Sequence, residues 1–83
     1  MIQEFLDESV DVVCYFGKKI KPLRFRRGKE IYKIKSVNGY WNKHVGNNMF
    51  HYFAVSTAQD VYFELELNSH NLKWKLKKIV DEI

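Results

Sequence analysis

The chain has 83 residues and a mass of 10.0 kDa, a length that supports one hydrophobic core and therefore one domain over residues 1–83. Hydrophobic residues make up 46% of it and aromatic residues 16%, which excludes a disordered chain, and the formal net charge is +4. Uncharged runs are too short for a membrane span, and the N-terminal segment is acidic, whereas a signal peptide is basic, so we expect a soluble and unprocessed protein. A single cysteine excludes an internal disulfide, which fits the cytoplasm.

Hydrophobic residues recur with a period of two along most of the chain, which predicts β-strands. In chain order, the predicted strands cover residues 10–16, 22–26, 31–37, 50–55, 61–67 and 72–77. Before the first strand, the apolar residues of the segment 2–6 have helical spacing, which leaves a short N-terminal helical turn or a frayed end open. The turn between the second and third strands contains Gly28, the residue expected there to adopt a positive φ.

The segment 38–48 joins the third and fourth strands and is predicted to be a long loop rich in glycine and asparagine. Tyr40 and Trp41 lie near its start. Loops of this size on a small β-domain often carry function. We expect Trp41 either to close one end of the domain or to be an exposed contact residue.

About six antiparallel strands joined mostly by hairpin-length turns predict an all-β meander. Its aromatic content favours a strongly curved sheet or a small, partly open barrel, because curvature buries one face and removes long open edges. The alternation places Cys14 and Trp74 on the buried face, the latter between Leu72 and Leu76.

Basic residues concentrate in the segment 17–35, which carries a net charge of +8, whereas residues 1–11 carry −4. Arg24 and Arg26 point to one side of their strand, and the hairpin turn would bring them beside Lys33 and Lys35. Small curved β-domains bind single-stranded nucleic acid by combining such cations with aromatic rings. The sequence therefore predicts a nucleic-acid-binding face made of these four residues, with Tyr32 as a stacking residue.

Two other interpretations stay open. Lysines on exposed strands, including Lys73, Lys75 and Lys77 on the last strand, also prevent edge-to-edge aggregation. The alternative function is a protein–protein interaction adaptor in which Tyr40 and Trp41 anchor a partner through the predicted loop. The chain would be a monomer or a weak homodimer formed through an exposed strand edge under either function.

The residues give no support to an enzyme. Cys14 has no histidine near it in sequence, and the three histidines lack the spacing of a metal pair. Glu64 and Glu66 share a strand face about 7 Å apart, as catalytic carboxylates of glycosidases can, but solvated residues on the wet face explain them better. We therefore expect a non-enzymatic protein with no metal and no cofactor.

Three motifs occur in a fixed order over roughly residues 10–81: Pro22-Leu23-Arg24-Phe25, then Trp41, then Trp74-Lys75-Leu76. In this pattern the chain resembles a family of short bacterial β-proteins, a domain of unknown function. Members of that family often have an aromatic residue where this chain has Arg26. Some are encoded near translesion-type DNA polymerases, so the resemblance implies nucleic acid or a DNA-processing protein as the partner and excludes neither.

Overall fold

The computed structural model describes residues 2–81 and shows six antiparallel strands in a closed barrel. The strands are β1 (Ile2–Phe16), β2 (Ile20–Arg27), β3 (Glu30–Val45), β4 (Asn48–Thr57), β5 (Tyr62–Asn68) and β6 (Lys73–Asp81). Each strand pairs with the next in sequence, and β6 pairs with β1 to close the ring. The predicted all-β meander is confirmed. Within residues 2–81, no helix is long and apolar enough to cross a membrane.

The two longest strands change partners along their length. β1 pairs with β6 as far as Val10 and with β2 from Asp11 onwards. β3 pairs with β2 only from Glu30 to Lys33, and from Ile34 to Val45 its partner is β4. The β2–β3 ladder is therefore only four residue pairs long, and the two strands separate beyond it.

The core lies inside the barrel and is built from every second residue of the strands, as the period-two pattern requires. Its buried members are Val10, Phe25, Phe53, Val55, Phe63, Leu65, Leu67, Trp74 and Leu76. Trp74 is thus a core residue, as predicted, while Cys14 is half-buried and packs against the core. Burial raises the pKa of the Cys14 thiol.

The segment 2–6 forms neither of the two alternatives left open for it, a helical turn or a frayed end, because it belongs to β1. The β1–β6 ladder extends from Val10 back to Ile2, so the backbone of this segment bonds to a neighbouring strand. A single helical turn offers too few hydrogen bonds to compete with such a ladder. Leu6 packs against the core, whereas Phe5 is exposed, with the ammonium group of Lys78 5.4 Å from its ring centre.

The loop predicted over residues 38–48 is also wrong, because β3 continues to Val45 and its only connection to β4 is the turn at Gly46 and Asn47. Gly46 has a φ of 61°, as does Gly28 in the β2–β3 turn, where a positive φ was predicted. Bulges between Ile34 and Ser36 and between Val37 and Gly39 shift the side-chain alternation twice. Because the alternation is shifted, the sequence of this segment lacks the period of two by which a strand is recognised.

The last strand differs from its prediction at both ends. β6 runs from Lys73 to Asp81, beyond the point where the sequence pattern fades, because a register shift opposite Glu64 and Leu65 in β5 interrupts the alternation. Leu72, expected beside Trp74 in the core, instead lies in the preceding turn with a φ of 58° and is 61% exposed.

Candidate functional site

The β2–β3 hairpin brings together only part of the predicted basic face. Arg24 and Lys33 are directly opposite each other on the two strands, and both are exposed. Tyr32 lies on the other side of the hairpin, opposite Phe25, with their ring centres 5.1 Å apart. Its hydroxyl donates to Glu30 at 2.6 Å, and that bond raises the pKa of Tyr32. Tyr32 therefore packs towards the core and does not stand among the cations of this face.

Arg26 is already paired with an acidic residue. Its guanidinium donates to the carboxylate of Asp11 at 2.6 Å, and these residues are neighbours in the β1–β2 ladder. Arg27 likewise donates to Glu8 at 2.7 Å. The acidic N-terminal segment thus lies beside the arginines of β2 and reduces the positive charge of the hairpin.

Lys35, the fourth member of the predicted face, lies elsewhere. It lines a cleft that opens where β2 and β3 separate, with a volume of about 800 Å³. Lys18, Lys19 and Lys21, from the β1–β2 turn and the start of β2, line the same cleft. We refer to these four residues as the cleft lysines.

The cleft lysines have no acidic partner within residues 2–81. Among the residues that the structure describes, none of the four takes part in an ion pair, and no carboxylate lines the cleft. Lysines of the last strand are different, because Lys77 and Lys75 approach the carboxylate of Asp7 at 2.9 and 3.4 Å. The potential in the cleft is therefore positive, and an anion there would be attracted by all four amino groups.

Aromatic side chains form the inner wall of the cleft. Tyr40 and His51 lie side by side with their rings nearly parallel, and the Tyr40 hydroxyl is 2.6 Å from Nδ1 of His51. Phe53, buried beneath them, packs against Tyr40 with a ring-centre distance of 5.1 Å. The cleft thus combines exposed cations with a flat, partly exposed aromatic surface, since Tyr40 is 50% exposed.

Trp41 lies on the outer face of β3, because consecutive residues of a strand point to opposite faces. It is 43% exposed and stacks on Tyr52, its cross-strand neighbour, with a ring-centre distance of 5.7 Å and an angle of 11°. Tyr52 in turn neighbours Glu66 on β5. Glu66 is buried, whereas the sequence predicted a solvated residue. The ammonium group of Lys77 is 4.0 Å from its carboxylate.

Tyr52 provides a titration that reports on this outer face. Burial, together with the hydrogen bond to Glu66, raises the pKa of Tyr52 from 10.0 to about 12. An unfolded tyrosine ionises first, so the stability contributed by this group is complete below about pH 10 and decreases as the pH rises towards 12. We expect the phenolate absorbance of the native protein to show a late rise, to which Tyr52 contributes near pH 12, and Tyr52→Phe should reduce that rise by the contribution of one tyrosine.

The control for this titration is Tyr15→Phe, which removes an exposed tyrosine of β1 and should leave the late rise in place. Identical late rises in the wild type and in Tyr52→Phe would contradict the assignment.

The sequence identified one cleft lysine and missed the other three. Lys35 and Tyr40 were both named, but in two separate sites, one basic and one aromatic. The charge run at Lys18, Lys19 and Lys21 was visible in the sequence as part of the basic segment. Its approach to β3 depends on how the barrel closes, which no local pattern indicates.

Among residues 2–81, the side chains able to bind a metal ion do not form a group of three or more. The chain matches no protein-family model, no curated protein and no solved structure, so its resemblance to the family of short bacterial β-proteins stays a prediction.

Proposed function

We propose that the protein is a non-enzymatic module that binds single-stranded nucleic acid in the cleft between β2 and β3. One observation carries the proposal: four lysines surround an aromatic wall, and none of them has an acidic partner in the part of the chain that the structure describes. Phosphates of the bound strand would contact the cleft lysines, and a base would lie against Tyr40 and His51. Binding sites for single strands combine these same two features.

The aromatic wall favours a single strand over a duplex. Bases in a duplex are stacked on one another and paired, so their faces are not free to contact a protein ring. Arg24 and Lys33, on the outer side of the same hairpin, would extend the positive surface for phosphates beyond the cleft.

Fluorescence anisotropy with labelled single strands of about 12 nucleotides, DNA and RNA, tests the proposal when the salt is varied from about 50 to 200 mM. Because each neutralised phosphate of a single strand contributes about 0.7 to the slope of log affinity against log salt, four contacts predict a slope of about −2.8. Lys35→Ala should make this slope shallower by about 0.7.

The matched control is Lys75→Ala, which removes the same charge from a lysine that contacts Asp7. It should leave the slope unchanged. Failure to bind any single strand at about 50 mM salt would overturn the proposal, and so would equal effects of the two variants, because affinity would then follow net charge rather than the cleft.

The alternative function, a protein–protein interaction adaptor, was predicted from an aromatic loop. Tyr40 and Trp41 instead lie in β3, on opposite faces of the strand, so they do not form one anchor. The four lysines of the cleft favour nucleic-acid binding over the adaptor, which stays a prediction.

A further inference from the structure

Trp41 offers one face of its ring to solvent at the edge of β3. Tyr52 covers the face that is turned towards β4, since the two rings stack across the ladder. On the other side, β3 has no ladder partner beyond Lys33 among the described residues. The second face of the Trp41 ring therefore looks out over the same strand edge that borders the cleft.

The side chains around this face leave it accessible. Gly39, the next residue on the outer face, has no side chain, and the nearest ring atom of Trp41 is 3.8 Å from the position where its Cβ would be. Any larger side chain at this position would lie against the indole. Trp41 is 43% exposed even though Tyr52 stacks on one face of its ring, so part of its surface is available to a base.

Charge near Trp41 favours a polyanion. Lys43, two residues further along the same face, is exposed and forms no ion pair with any residue between 2 and 81. In the ladder across from Trp41, the first carboxylate is that of Glu66, which lies beyond Tyr52 and accepts a hydrogen bond from its hydroxyl. A phosphate that reached Trp41 from the β3 edge would therefore meet a lysine before a carboxylate.

We propose that a single strand bound in the cleft continues over the edge of β3 and stacks one base on the free face of Trp41. Tyr40 and Trp41 are consecutive residues, so the inner aromatic wall and this outer ring are separated only by the thickness of one strand. The strand would stack one base on each side of β3 and place its phosphates along Lys35 and Lys43. The proposal rests on the proposed function, because the cleft supplies the strand.

Replacement of Trp41 separates stacking from phosphate contacts. A stacked base contributes enough to binding that Trp41→Ala should weaken single-strand affinity about 5- to 100-fold. Stacking neutralises no phosphate, so the salt slope should stay that of the wild type. The matched control is Tyr62→Ala, which removes an exposed aromatic ring from β5 and should leave affinity unchanged.

Tryptophan fluorescence gives a second measurement that needs no destabilising variant. The chain has two tryptophans, and Trp74 is buried in the core, so a change in emission caused by an unlabelled oligothymidylate should come from Trp41. We expect quenching in the wild type and none in Trp41→Phe, which keeps Trp74 as the single emitter.

The outcomes distinguish the two proposals. If anisotropy shows binding while the emission stays constant and Trp41→Ala binds like the wild type, the stacking inference is overturned and the cleft proposal stands. If no single strand binds at about 50 mM salt, the cleft proposal fails, and the stacking inference fails with it.

Discussion

Phe25→Ala is expected to lower the free energy of unfolding by about 3–5 kcal/mol. Phe25 is 1% exposed and contacts Tyr32 and Phe63, with ring-centre distances of 5.1 and 5.0 Å. It lies in the four-pair ladder between β2 and β3, so the cavity left by the ring weakens the shortest ladder of the barrel. A domain of this size has a total stability of about 4–12 kcal/mol, which makes the loss a large fraction.

Urea unfolding followed by tryptophan fluorescence, to which the core residue Trp74 contributes, measures this loss. The control is Leu23→Ala, which shortens an exposed side chain of the same strand and should change stability by less than about 0.5 kcal/mol. A loss below about 1 kcal/mol for Phe25→Ala would show that the β2–β3 ladder does not depend on this ring.

Reversing two charges on opposite sides of the cleft should have the largest effect on binding. Lys19 belongs to the β1–β2 turn and Lys35 to β3, so the double variant Lys19→Glu/Lys35→Glu changes both walls. At about 50 mM salt each lost phosphate contact lowers affinity roughly 10-fold, and the new carboxylates add repulsion. We expect a decrease of about 100-fold or more in single-strand affinity.

The matched control is Lys29→Glu/Lys73→Glu, which makes the same change in net charge at two exposed lysines outside the cleft. Its affinity should decrease far less. Thermal unfolding of both double variants verifies that each is folded at the temperature of the titration. An equal decrease in the two variants would show that overall charge, and not the position of the cleft lysines, determines binding.

Most of the secondary structure could be predicted from local sequence because a strand with one buried face alternates strictly. The segment 61–67 shows this well, since Phe63, Leu65 and Leu67 are buried as their alternation predicts. Prediction failed where bulges interrupt that alternation, as in the continuation of β3 past Val37. A bulge lets a strand bend. That bend is favourable because it fits the strand into the closed barrel, so its cause lies in the tertiary structure.

The sequence by itself determined the all-β meander, the turn at Gly28 and the concentration of positive charge before Lys35. It could not determine which cations are neutralised, because Arg26 meets Asp11 only when β1 and β2 pair. Nor could it place Lys19 and Lys35 in one cleft, since that cleft exists only because β2 and β3 separate beyond their short ladder. Local pattern defines strands because it depends on neighbours in the chain, whereas the cleft depends on contacts between distant segments, and only the tertiary structure decides those.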